Sequence, residues 1–186
     1  LLPGGGVAAA EVTRAEVAHA EDLYTLTLEA YLAAPPLAVF AVITDYRHIQ
    51  DLHRRVRESR VLRRIDARTT DVYTLLKGCV AAIFCKSIRR VERITETPPY
   101  ELTAEVIPGE SDLKSGFVRW RLYPEGEGTR LVYESEMEPD FWVPPVLGDA
   151  LMSRSIRNTT QEMIERVEEL AREQHVGGGE PWKPAP

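Results

Sequence analysis

The sequence lacks the features that announce several large classes of protein. No stretch approaches the ~18–20 consecutive apolar residues of a helical membrane span, so nothing in the 186 residues reads as a transmembrane helix. Positive charge is not in excess: the net charge is −6, with acids and bases interleaved. That balance argues against a nucleic-acid partner, which calls for a basic face and a high pI. Two cysteines and four histidines are too few and too scattered for a metal-ligand set, and no metal or cofactor is expected. The motifs of common chemistries are missing too: no H-E-x-x-H, G-x-S-x-G or G-x-G-x-x-G is present. "GEGTR", 126–130, runs into a strand pattern, which excludes a phosphate cradle at a helix start. His19, His48, His53 and His175 fall on no expected inner face. No catalytic residue is assigned on these grounds, and the reading leans away from an enzyme.

What is present is enough to build one core, since 44% of the residues are apolar. "YTLTLEAYLAA", 24–34, alternates as a half-buried strand, with Tyr24, Leu26, Leu28, Ala30 and Leu32 on one face. Pro35-Pro36 ends it and starts a short helix, "LAVFAVITDY", followed by a second helical piece, "RHIQDLH". Further strands are expected at about 56–65, 70–77, 84–95, 100–107, 116–123 and 129–138. Gly and Pro turns separate them, and connections this short imply antiparallel neighbours. From about 145 to 173 the chain reads as one long amphipathic helix. Met152, Ile156, Thr160, Met163, Val167 and Leu170 lie on one side, and Glu162, Glu165, Glu168, Glu169 and Arg172 on the other.

The ends and two local features complete the pattern. Residues 1–20 read as a leader: Ala8-Ala9-Ala10 before Glu11 looks like the end of a secretory signal peptide, with a flexible leader as the other reading. Residues 21–174 form the domain and 175–186 a Gly- and Pro-rich disordered tail. Cys79 and Cys85 would lie too far apart on one continuous strand. If Gly78 opens a loop, the chain doubles back and a disulfide can join them. Such a bond fits an exported chain, so a periplasmic or secreted location is expected, with the cytoplasm as the alternative. "HRRVRESRVLRR", 53–64, concentrates six arginines. It is either the solvated face of a helix-to-strand junction or a docking site for anionic headgroups or an acidic partner.

"YLAAPPLAVFAVITDY" resembles the opening of START-like (SRPBCC) proteins, the polyketide cyclase/dehydrase and lipid-transport group. "GFVRWRLYPEGEGTRLVY" resembles that group's late hairpin, and the likeness extends over roughly 22–173. It implies an α+β helix-grip fold: a curved antiparallel sheet of six to seven strands around one long C-terminal helix, with two short helices after the first strand. It also implies a cavity between sheet and helix for an apolar ligand. In the resembling triplet, Asp45 is expected to end the helix rather than to do chemistry.

Strand parity gives the same wall from the residues alone. Val118, Trp120 and Leu122 share a face against Arg119 and Arg121. Leu131, Tyr133, Ser135 and Met137 align against Arg130, Glu134 and Glu136, and Leu102, Ala104 and Val106 lie between charged neighbours. A helix 10–12 Å across cannot cover six or more strands spaced ~4.8 Å apart, so part of the inner face is left for a guest. The expected lining is Leu28, Leu102, Ala104, Val118, Trp120, Leu131, Tyr133 and Ser135 from the sheet and Ile156, Thr160 and Met163 from the helix. Arg89 joins them because it shares parity with Cys85 and Val91. Phe141 and Trp142, with Phe84, are expected at the rim, as a gate or as a plug anchoring the helix. The function this predicts is binding or transport of a lipid-like hydrophobic small molecule, with transient membrane contact as an added expectation. The alternative is a polyketide cyclase/aromatase-type enzyme using the same cavity.

Overall fold

Alternation of burial decides the architecture. In the computed structural model, which describes residues 10–80, 84–142 and 148–176, eight strands form one sheet. They are β1 (Glu11–Ala20), β2 (Leu23–Leu32), β3 (Val56–Arg64), β4 (Thr69–Val80), β5 (Phe84–Thr97), β6 (Glu101–Val106), β7 (Leu113–Glu125) and β8 (Gly128–Pro139). The helices are α1 (Pro36–Ile43), α2 (Ile49–Leu52) and α3 (Gly148–Val176). All neighbours pair antiparallel in the order β1-β2-β8-β7-β6-β5-β4-β3. This is the α+β helix-grip arrangement with one strand more than the sequence led us to expect.

The additional strand is β1, which lies within the segment read as a leader. Residues 11–20 pair along their length with β2, and Val12, Ala15 and Val17 pack against the core. The signal was weak because a bulge between Val12 and Arg14 breaks the alternation and Ala15 leaves an inward position small. The opposite edge is β3. Its arginines blunt an exposed edge against pairing with another chain. Two are also engaged: Arg63 joins Arg93 of β5 on the buried carboxylate of Asp71, and Arg60 lies over the Tyr73 ring at 4.5 Å.

The core gathers where α1 and the C-terminal half of α3 meet the β1–β2–β8–β7 side. Leu28, Leu32, Val39, Phe40, Leu131, Ile164, Val167 and Ala171 are wholly buried there. Each large side chain so enclosed contributes ~1.5–3 kcal/mol. α1 begins at Pro36 and ends at Thr44, whose hydroxyl donates to the Phe40 carbonyl at 2.7 Å. The Tyr46 hydroxyl then donates to the buried Glu96 carboxylate, tying the α1–α2 connection to β5. Glu168, expected on the solvent side of α3, is buried. Its Oε1 lies 3.6 Å from Arg172 Nη1, and burial holds the carboxyl above its ordinary pKa. At the β7–β8 turn, a Cβ on Gly128 would collide with the Leu32 carbonyl and the Tyr31 ring, so only glycine fits.

Candidate functional site

Only the C-terminal half of α3 is pressed into the core. Its N-terminal half stands off the sheet, and a cavity of about 280 Å³ remains beneath it. Met152, Ser155, Ile156, Thr159, Thr160 and Met163 line it from α3 at the three- and four-residue spacing of one helix face. Val106, Val118, Tyr133, Ser135 and Met137 supply the sheet wall, Leu76 and Gly78 the β4 side, and Ile49, Leu52 and His53 the α2 end. Most of this lining is apolar.

β5 lines the cavity with Lys86, Ile88, Arg90 and Glu92, and Arg55, Lys77 and Glu136 add charge from its neighbours. Arg89, expected in the lining, points out and forms an ion pair with Asp112 at 2.8 Å. Val91 misled the parity argument because it is buried on the outer side, under the β6–β7 connection. There the Ser111 hydroxyl accepts the Val91 N–H and donates to its carbonyl. A one-residue slip turns every side chain of a strand to the other face. Arg90 and Glu92 therefore carry charge into the cavity: Arg90 Nε lies 2.9 Å from Glu92 Oε2, with side-chain exposures of 30% and 7%. The Nε–H is not aimed at that oxygen and has no hydrogen-bond partner among the described residues. Tyr133 lies beside them, its ring edge-on to Trp120 at 4.8 Å. Burial holds its phenol above the ordinary value, while Arg90 and the Ser135 hydroxyl pull it back.

His53 also lines the cavity, although no histidine was expected on an inner face. Ile49, Leu52 and His53 recur at three- and four-residue spacing, which could have shown it. Its Nδ1 accepts the Arg55 N–H at 3.1 Å, so Nε2 carries the proton and faces Glu162 Oε2 at 3.3 Å. Burial holds the imidazole below its ordinary pKa, outweighing Glu162. Both ring nitrogens are thus engaged, and the ring is held as a wall rather than offered as a base. Among the described residues no group of three His, Cys, Asp or Glu side chains could hold a metal ion.

Of the expected lining residues, Val118, Tyr133, Ser135, Ile156, Thr160 and Met163 meet at the cavity. Leu28, Leu102, Ala104, Trp120 and Leu131 share the inner face but belong to the packed core. Parity names a face; it does not say how far along the sheet the helix lifts away. At the rim, Phe141 lines the cavity with Lys86 Nζ 4.3 Å from its ring centre. Trp142 is 72% exposed and lines nothing. The Phe84 side chain and residues 143–147 lie outside the described residues. Cys79 and Cys85 are joined by a disulfide, with Cα atoms 4.1 Å apart. Gly78 does not open the loop: it pairs with Lys86, and the ladder continues to Val80↔Phe84. The clip is a cross-strand one beside the cavity, since Cys79 is itself in the lining.

The family described as polyketide cyclase / dehydrase and lipid transport matches residues 24–172. None of the curated proteins matches the chain in sequence. Among solved structures, the Zhui aromatase/cyclase from Streptomyces sp. R1128 is similar with a TM-score of 0.69 at 14% identity, covering 85% of this chain and 99% of that one. A STAR-related lipid transfer protein from Xanthomonas axonopodis gives 0.64 at 16% identity, covering 85% and 98%. Human STARD10 gives 0.64 at 8% identity, covering 90% and 79%. At these identities the likeness is one of fold.

Proposed function

The chain belongs to the polyketide cyclase/dehydrase and lipid transport family, and within it we propose that this protein binds and carries a lipid-like hydrophobic molecule in the cavity under α3. The observation that carries this reading is the lining: a mostly apolar space of about 280 Å³, with the Arg90–Glu92 ion pair and a few hydroxyls inside it and Arg55, Lys77, Lys86 and Glu136 as its other charged residues. That volume is near the lower end of small-molecule sites, roughly 300–1,000 Å³. Burial of each methylene favours binding by ~0.8 kcal/mol, so a chain of about eight carbons gains ~6 kcal/mol before ordering costs. The polar end of the guest would sit against Arg90 and Tyr133, and its apolar body between Ile156, Met163 and Val118.

The test is native mass spectrometry of freshly purified protein, followed by titration with a fluorescent fatty-acyl probe. A co-purifying apolar mass, and probe binding weakened at least tenfold by Ile156→Trp, support the carrier. An unliganded protein that ignores the probe sinks it. The second reading, a cyclase or aromatase, is favoured by one observation: Arg90 and Tyr133 converge inside the cavity, where a guanidinium could polarise a ketone. Turnover of a polyketone substrate, lost in Arg90→Met, is the result that would select it.

A further inference from the structure

The charges that line the cavity are not evenly matched. Arg90 has Glu92 at 2.9 Å, but Arg55 and Lys86, also in the lining, have no carboxylate within ion-pair distance among the described residues. They stand close together. The Lys77 N–H donates to the Arg55 carbonyl at 2.7 Å, and the next residue, Gly78, pairs with Lys86. The two bases therefore flank Gly78 at one level of the sheet, about two strand spacings or ~10 Å apart at the backbone. Arg55 reaches toward α3, with Nη1 3.4 Å from the Ser155 hydroxyl. Lys86 shares the inward parity of Ile88 and Arg90, and its Nζ lies 4.3 Å from the Phe141 ring centre. Gly78 puts no side chain between the two bases, and a Cβ there would already lie 3.3 Å from Ile88 Cδ1.

The acids around this corner do not answer the two bases. Glu162 is held by His53 and Arg54, Glu58 by Arg60 and Asp112 by Arg89, though the charge of Lys86 is felt at Asp112. Asp51 and Asp140 are exposed. Glu136 also lines the cavity, but it is exposed, alternates with Ser135 and Met137, and lies on β8, with β7 and β6 between it and β5. Lys77, the remaining base of the lining, is exposed and stands between Leu76 and Gly78, so alternation turns its side chain outward. At the inner end Glu92 already neutralises Arg90 and would repel a second carboxylate. We propose that the guest is an amphiphile with an anionic end, a carboxylate or a phosphate, seated at Gly78 between Arg55 and Lys86 beneath Ser155. This assignment rests on the carrier reading and gives its guest a charge. The anion takes this end, and an uncharged oxygen takes Arg90, four residues or roughly 13 Å along β5.

The full chain is loaded with the neutral fluorophore N-phenyl-1-naphthylamine, and decanoate and decanol are compared as displacing ligands at about pH 8, where the carboxylate is ionised. Expected is displacement by decanoate at a ~tenfold or more lower concentration than by decanol, an advantage that shrinks with salt. Arg55→Gln/Lys86→Gln should erase the advantage and leave decanol unchanged, which also shows the cavity intact. If that variant does not fold, Lys86→Gln alone should lower the advantage in the same direction. Arg14→Gln/Arg130→Gln removes the same charge at sites away from the cavity and should keep it. The proposal is overturned if decanol matches decanoate in the parent, if Arg55→Gln/Lys86→Gln keeps the preference, or if the remote pair loses it alike. Inorganic phosphate competing as well as decanoate would also overturn it, by assigning the corner to a free anion. Equal binding of the two ligands sinks the anionic end and leaves the carrier standing. If neither displaces the probe and native mass spectrometry finds neither bound, the carrier falls and takes this assignment with it.

Discussion

Removing the cavity's guanidinium should cost the fold more than removing the whole ion pair. In Arg90→Met the Glu92 carboxylate, 7% exposed, loses the cation 2.9 Å away in a mostly apolar wall. Breaking a fully buried pair costs ~3–5 kcal/mol. Arg90 is itself 30% exposed toward the cavity, so water relieves part of the loss and we expect about 2–3 kcal/mol. With a urea slope of roughly 2 kcal/mol/M, the unfolding midpoint should drop by ~1–1.5 M. The double variant Arg90→Met/Glu92→Leu removes both charges for side chains of similar bulk. It should recover to within ~1 kcal/mol of the parent. The assay is equilibrium urea unfolding followed by far-UV circular dichroism, with the acyl-probe titration run in parallel. Recovery of stability in the double variant, without recovery of affinity for a ligand bearing a carbonyl or hydroxyl, would show that the pair serves the guest rather than the fold. The reasoning fails if Arg90→Met unfolds within ~0.5 kcal/mol of the parent, or if the double variant is no more stable than the single one.

Two further outcomes follow from buried polar groups away from that pair. Tyr46→Phe leaves the Glu96 carboxylate without its hydroxyl donor and should cost ~1–3 kcal/mol near neutral pH. Burial already holds the Glu96 pKa above the ordinary carboxyl value. The deficit should therefore shrink as pH falls through that raised value and the carboxyl becomes neutral; a pH-independent deficit would refute the pairing. His53 has a folded pKa below its unfolded one because burial disfavours the imidazolium. The unfolded state then binds more protons just below about pH 6.5, so its stabilising contribution is complete above that value and is lost as pH falls through the depressed one. Urea midpoints between about pH 7.5 and 5 should decline less in His53→Gln than in the parent.

Particular residues show how far one dimension reached. The β7–β8 hairpin was legible because Val118, Trp120 and Leu122 alternate with arginines, and its turn is marked by Gly126 and Gly128. The long helix was legible from its spacing, and observation starts it at Gly148 and carries it to Val176. Strand β5 was misread by one residue because Val91 offered an apolar cue that a covering loop, not the core, had claimed. β1 was missed because a bulge between Val12 and Arg14 shifts its alternation partway along the strand. Phe141 reached the cavity and Trp142 did not, though both looked alike as neighbours in a proline-rich segment.

Local rules of alternation, helical spacing and turn chemistry act between residues close in the chain, and they are written in the order of side chains. They sufficed for every element but β1 and for the antiparallel pairing, while the family was legible from the resemblance of two stretches to its members. The position of the cavity depends on where along α3 the helix parts from the sheet, and the charge inside it depends on which face a covered strand presents. Both are set by contacts between segments far apart in sequence: the β6–β7 connection lying over Val91, and α1 bracing only the C-terminal half of α3. No local pattern contains that information, which is why Arg90 and Glu92 became visible only once the chain had folded.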